Sequence, residues 1–208
     1  MEDETNAYME IAATKSLCSI DDIRLVQPIG QGHFGRVWKA EYNKHNDKTL
    51  AVKLLKENAP ETDLKDFTQE IDTMLSLEPH ENVVKVLGFS KSGQLIKIPV
   101  FIALEFMANG SLKTFLRSSR SDNIYGNLHG GSNRLTSRDL LTFAEHVARG
   151  MSHVAKYGFL HRDLAARNVL VSESRVCKVA DFGLARDVIE SREYLSKLLV
   201  RKMLKILS

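Results

Sequence analysis

Cysteine is nearly absent: the 208 residues contain two, Cys18 and Cys177. They stand too far apart in sequence to read as a metal-ligand set or a disulfide framework, and two unpaired thiols fit a reducing compartment. Long hydrophobic runs are missing as well. No stretch approaches the ~18 apolar residues that cross a bilayer as a helix, and the acidic start MEDETNAYME lacks the basic-then-apolar order of a secretion signal. The chain as written is therefore expected to be soluble and cytoplasmic. A dominant charge is lacking too, since 29 Lys and Arg against 26 Asp and Glu leave a formal +3, too little to imply nucleic acid. The basic residues gather at the end, where Arg192, Lys197, Arg201, Lys202 and Lys205 oppose a single acid, Glu193. No internal repeat occurs at any period, which excludes solenoids and propellers.

What is present is the balance of a globular domain, 43% hydrophobic and 26% charged. Residues 1–22 read as a flexible leader. From Ile23 the sequence breaks into short, often alternating apolar segments, which predict strands over Ile23–Ile29, Gly35–Tyr42, Thr49–Leu54, Val83–Phe89 and Val100–Phe106. Between the third and fourth, Leu64, Phe67, Ile71, Met74 and Leu75 recur at helical spacing, so Asp63–Leu77 is expected to be a helix. A short helix is expected over Ser111–Arg117, followed by a Ser-, Asn- and Gly-rich solvated insert over 118–134. A longer helix then begins at a Thr136/Asp139 capping pair, with Leu140, Phe143, Ala144, Val147, Met151 and Val154 on one face.

The run Gly30-Gln31-Gly32-His33-Phe34-Gly35-Arg36-Val37 is a G-x-G-x-x-G-x-V, whose glycine spacing is shared with dinucleotide-binding folds. In those folds the third glycine opens a helix. Here Gly35 leads into Arg-Val-Trp-Lys-Ala-Glu-Tyr, an alternating β-forming run, so the glycines belong to a strand–turn–strand. Such a hairpin can lay backbone N–H groups over phosphates, because no Cβ blocks close approach; alone, it could equally be a hairpin without a ligand. Lys53 ends Leu50-Ala51-Val52-Lys53, where apolar neighbours would bury its ammonium. A buried lysine needs a partner, and Glu70, expected inward beside Phe67, Ile71 and Met74, could supply one together with phosphate. A lysine closing a strand is otherwise an ordinary solvated charge.

His161-Arg162-Asp163-Leu164-Ala165-Ala166-Arg167-Asn168, followed by Asp181-Phe182-Gly183, completes the set. With these motifs in this order and spacing, the sequence resembles the protein kinase family from about Asp22 to Asp187. The resemblance implies an α+β, protein-kinase-like fold: a complete β-rich N-lobe with one helix over 23–107, and a partial helical C-lobe over 108–187. It implies ATP contacts from Gly30, Gln31, Gly32, Gly35, Val37, Ala51 and Lys53, with adenine bound to backbone at Glu105 and Met107 and Leu104 behind it. Lys53 would position phosphates and Glu70 would orient Lys53. Asp163 would orient the substrate hydroxyl and accept its proton, while Asn168 and Asp181 would hold Mg²⁺. His161 and Phe182 would pack rather than react. Family members acting on Ser or Thr usually carry Lys two positions after the catalytic Asp; here that position is Ala165, and Ala165-Ala166-Arg167 resembles tyrosine kinases of the receptor type, while the insert over 118–134 occupies the place of the kinase insert of the fibroblast and vascular growth factor receptor groups. Arg167 thus joins the expected catalytic set. Protein substrates bearing tyrosine and a partner kinase in a dimer are implied, with the plasma membrane as the location of an intact receptor. Tyr125 in the insert reads either as a phosphorylation site or as an ordinary loop tyrosine.

After Asp187 the resemblance fades over residues 188–208. A Pro-Val-Lys-Trp-like segment and an Ala-Pro-Glu are expected there, yet Pro99 is the last proline and Trp38 the sole tryptophan. Leu195, Leu198, Leu199, Met203, Ile206 and Leu207 instead follow helical spacing among basic residues. That tail reads either as a divergent activation segment or as a basic amphipathic helix able to touch an acidic membrane. The large-lobe helices expected next do not follow. The sequence therefore supports two readings, a tyrosine kinase catalytic core and a nucleotide-binding or decoy module that does not catalyse, and little activity is expected from the 208 residues alone.

Overall fold

A computed structural model describes residues 20–31, 35–43, 48–56, 58–90, 100–125 and 135–187. The leader through residue 19, the tail from residue 188, part of the insert (126–134), and Gly32, His33 and Phe34 lie outside them. The α+β architecture expected from the sequence is present. Strands β1 (Ile23–Gln31), β2 (Gly35–Tyr42), β3 (Lys48–Leu55), β4 (Val86–Ser90) and β5 (Phe101–Glu105) form an antiparallel sheet in the order β1-β2-β3-β5-β4. Helix α1 (Glu61–Ser76) connects β3 to β4. Helices α2 (Leu112–Tyr125) and α3 (Ser137–Lys156) follow, with two small sheets that pair β6 (Phe159–Leu160) with β9 (Arg186–Asp187) and β7 (Val169–Val171) with β8 (Cys177–Val179).

Helix α1 has no side-chain N-cap, but Glu61 and Asp63 place negative charge in its first turn, which complements the helix dipole. Its inner face buries Phe67, Ile71 and Met74 against Ile102 of β5, Val154 of α3, Val179 of β8 and Phe182. One apolar cluster therefore joins the sheet to the helical half. At the start of α3, Asp139 N–H donates to Thr136 Oγ1 at 3.2 Å and Thr136 N–H donates to Asp139 Oδ2 at 2.7 Å, which is the capping box expected from the sequence.

Three expectations differ from the structure. The fourth strand begins at Val86 rather than Val83, because the backbone of the preceding loop is committed to β8. Asn82 C=O accepts from Val179 N–H at 2.8 Å, and Val84 N–H donates to Val179 C=O at 3.0 Å. Helix α2 continues eight residues past Arg117 to Tyr125, where the sequence suggests loop. The hydroxyls of Ser118 and Ser119 donate back to Phe115 and Leu116 carbonyls, each at 2.9 Å, so they do not pull the backbone out of the helix. On α3, Phe143, Gly150 and Val154 are buried, whereas Leu140 is 49% exposed and Ala144 is exposed. No element among the described residues covers that side of the helix.

The loop Leu77–Lys85, α3 and β8 meet without slack. A Cβ on Gly150 would lie 2.4 Å from Asn82 O and 2.9 Å from Val179 Cγ2. Cys177, at the start of β8, is buried, and burial pushes its thiol up to about 11. Its N–H donates to His146 Nδ1 on α3 and its carbonyl accepts from Asn82 Nδ2. Backbone cannot yield here as a flexible side chain would, so Gly150→Ala is expected to cost about 1–3 kcal/mol by overpacking. Urea denaturation checks this, and a loss below about 0.5 kcal/mol would contradict the tight approach.

Candidate active site

Strand β3 sits in the middle of the sheet, and its register pairs Lys53 with Val37 on one side and Ile102 on the other. The lysine is consequently 8% exposed. Glu70, on the inward face of α1, is 4% exposed. Lys53 Nζ donates to both carboxylate oxygens, at 2.8 Å to Oε1 and 2.6 Å to Oε2, and lies 5.6 Å from the centre of the Phe67 ring. Burial pushes the Glu70 carboxyl above its ordinary range, and the Lys53 ammonium pulls in the opposite direction. Desolvation thus offsets much of the attraction, so the pair fixes position more than it adds net stability. Asp181 Oδ1 stands 3.8 Å from the same ammonium, on a carboxylate that is 53% exposed.

The loop after β6 brings a third carboxylate to this region. His161 is buried; its Nε2 lies 3.0 Å from Ala180 O, its Nδ1 accepts Asp163 N–H at 3.3 Å, and its ring is tilted against Phe182 with centres 5.1 Å apart. Asp163 is held from two sides. Arg167 forms an ion pair with Oδ1, one helical turn's spacing along the chain, and Asn168 Nδ2 donates to Oδ2 and to the Asp163 carbonyl, both at 2.8 Å. Lys113 N–H, in the first turn of α2, donates to Ala166 C=O at 2.9 Å, and Ala180 N–H donates to Asn168 C=O at 2.9 Å. These backbone bonds fasten the loop to α2 and to the segment that carries Asp181. Arg162 and Asp181 both adopt left-handed φ, at 65° and 64°. Among L-residues that conformation is uncommon and costs energy, so it persists where the surroundings dictate it.

Behind the sheet, Leu104 pairs with Ala51 in the register of β5 and β3, and it packs with Val84, Met107, Leu170 and Ala180. Val37 and Ala51 are half-buried on the adjoining strands. Glu105 N–H is engaged by Lys85 C=O at 3.0 Å. Met107 is buried, and its carbonyl accepts from Gly110 N–H at 3.0 Å. Of the glycine hairpin, Gly30 pairs with Val37 and Gln31 with Arg36. Gly35 is required by the protein itself: a Cβ there would lie 1.9 Å from Leu54 O. Its missing side chain thus lets β2 close on β3.

Sequence reasoning missed the pair formed by Glu105 and Lys178, whose Nζ donates to both carboxylate oxygens at 2.7 and 2.9 Å. The available signal was a lysine inside the apolar run Val176-Cys177-Lys178-Val179. As for a metal, no group of three or more His, Cys, Asp or Glu among the described residues could enclose one. Mg²⁺ does not require such a cage, because it is commonly held by one or two carboxylates, water and substrate phosphate. Asn168 spends its amide N–H₂ on Asp163, which leaves its carbonyl oxygen as a donor of the right hardness, and the Asp181 carboxylate is accessible. The residues fit the ion.

A five-stranded sheet over one inward helix, with a lysine between two acids and a third acid braced by a guanidinium and an amide, places the chain in the protein kinase class of fold. The family model described as protein tyrosine and serine/threonine kinase matches residues 23–205, and the chain belongs to that family. The match runs past Asp187, where the residue motifs fade, into the basic tail. The chain is 51% identical to the tyrosine kinase receptor Cad96Ca of Drosophila melanogaster, over 80% of its own length and 22% of that protein. It is 41% identical to the angiopoietin-1 receptor of Danio rerio, over 79% of this chain and 15% of the receptor. Against a fibroblast growth factor receptor of Halocynthia roretzi the identity is 39%, over 85% of this chain and 25% of the receptor. The chain thus spans a quarter or less of these curated relatives.

Removing one partner of the Lys53–Glu70 pair leaves a buried charge uncompensated. Glu70→Ala is therefore expected to destabilise the protein by about 3–5 kcal/mol, and the double change Lys53→Met with Glu70→Leu by much less. Chemical denaturation of both variants checks this, and equal losses would show that the pair contributes net stability instead.

Proposed function

We propose that this chain is the catalytic core of a protein-tyrosine kinase of the receptor type, transferring the γ-phosphoryl group of ATP to tyrosine in protein substrates. Residues 23–107 form the nucleotide-binding part and residues 108–187 carry the catalytic loop. The observation that carries the reading is the Asp163 carboxylate braced by Arg167 and Asn168, in the loop fastened to Asp181. Lys53, oriented by Glu70, binds the α- and β-phosphates. Gly30, Gln31 and Gly35 line the phosphate side of the hairpin, with Gly32 of the same motif lying outside the described residues, Val37 and Ala51 lie against the base, and Glu105 and Met107 meet its edge through backbone groups. Asp163 accepts a hydrogen bond from the phenol, aims its oxygen at the γ-phosphorus and takes its proton as transfer proceeds. Asn168 and Asp181 would hold Mg²⁺, which supplies positive charge to phosphate oxygens when bound.

Arg167, one turn from Asp163, keeps that carboxylate in a single orientation and sets its cation where a phenol would enter. The preference for tyrosine rests on Ala165-Ala166-Arg167 and on the similarity to three receptors, one of them a tyrosine kinase receptor by name. The same grounds support reading the intact protein as a plasma-membrane receptor with a second kinase copy as dimer partner. Among the described residues no helix is long and apolar enough to cross a membrane.

With the purified protein, Mg²⁺ and ATP together should raise the melting temperature, and Lys53→Met should abolish that rise. Transfer to a tyrosine peptide should fall about 10²–10⁴-fold in Asp163→Asn, the usual contribution of a positioned base, while the nucleotide-induced rise in melting temperature persists. Nucleotide binding with no transfer would favour the decoy reading, and equal transfer to a serine peptide would overturn the tyrosine assignment.

A further inference from the structure

One cluster of titratable side chains stands apart from the candidate active site. The loop Leu77–Lys85 carries His80, whose ring stacks on His153 of α3 with centres 4.5 Å apart and planes 24° apart. Tyr157, which caps the C-terminus of α3, is tilted against His153 with ring centres 4.9 Å apart. His153 Nε2 lies 2.9 Å from the Glu78 carbonyl, so the stack ties the loop to α3 at two points. The decisive bond is shorter in range. Asn82 N–H donates to His80 Nδ1 at 3.0 Å. An imidazole nitrogen can accept only while it carries no proton, so this bond fixes His80 as the neutral Nε2–H tautomer.

We propose that His80 is a pH-sensitive latch, which in its neutral form holds the loop Leu77–Lys85 against α3 and β8 and releases it when protonated. Protonation at Nδ1 removes the acceptor from Asn82 N–H, in a residue that is fully buried. The same residue's carbonyl accepts from Val179 N–H, and its Nδ2 donates to Cys177 C=O. Losing the His80 bond therefore loosens the segment that docks β8, two residues before Asp181. The surrounding charges are mixed but the balance opposes the imidazolium. His153 and Arg149 of α3 and Lys178 of β8 face His80 and disfavour a proton, whereas Glu81 on its own loop favours one. Glu78 touches the stack through its carbonyl and Tyr157 flanks it. Desolvation first, and then the charges of His153, Arg149 and Lys178, hold His80 below the ordinary imidazole value of 6.5 against the pull of Glu81. An unfolded chain takes up this proton first as pH falls, so the latch's stabilisation is complete above about 6.5 and is lost below it.

Asparagine can present its side-chain oxygen where His80 presents Nδ1, and it does not titrate. Melting temperature should therefore fall more steeply between pH 7.5 and 5.5 in the unaltered protein than in His80→Asn. The comparison cancels contributions from titratable groups that do not touch His80, and the ring stack with His153 is the one coupling it leaves in. Proton NMR of the His80 ring in the unaltered protein supplies a second readout that survives any failure of the variant to fold. A titration midpoint below 6.5 supports the latch. Equal pH slopes in the two proteins, or a midpoint at or above 6.5, overturns it.

Discussion

The backbone joint between Asn82 and Val179 governs more of this molecule than any other contact. In one direction along the chain lies α1 with Glu70. In the other lies the segment with Asp181. The joint's hydrogen bonds are made by buried groups, which cannot slide past one another without leaving a donor or acceptor unsatisfied, typically at about 1–3 kcal/mol each. These main-chain bonds hold the loop after the Glu70 helix against the strand that leads to Asp181, whose Oδ1 stands 3.8 Å from Lys53 Nζ.

The elements with a sustained period were legible in the sequence. Strand β2 shows alternation from Gly35 to Tyr42, and α1 and α3 repeat apolar residues at helical spacing, so their bounds fell within a few residues of the structure. Strands of two or three residues, such as β6, β7, β8 and β9, are too short to carry a period. They form because the tertiary fold brings their backbones together. The helix from Ser118 to Tyr125 escaped for another reason. Serine and asparagine ordinarily compete with the backbone for hydrogen bonds, and composition does not reveal that Ser118 and Ser119 settle that competition inside the helix.

The candidate site was legible where one loop carries several functional groups. Asp163, Arg167 and Asn168 lie within six positions, so their mutual geometry is local. Pairings across long separations were not, with the exception of Lys53 and Glu70, which burial demands. Glu105 and Lys178 are 73 residues apart, as are His80 and His153, and nothing in either neighbourhood names the other. Gly35 shows how a motif can be right in spacing and different in physical cause. The glycine pattern points to phosphate, yet the carbonyl of Leu54 already forbids a Cβ there.

Cys177 adds a property of another kind. Its sulfur is buried in the joint, and its thiol is held at about 11, so almost none exists as the nucleophilic thiolate near neutrality. An alkylating reagent therefore has to wait for the strand to come away from α3 and the Asn82 loop. The rate at which this one sulfur is consumed becomes a clock for opening, recorded as a permanent change of mass at the spot where the two halves of the molecule are fastened.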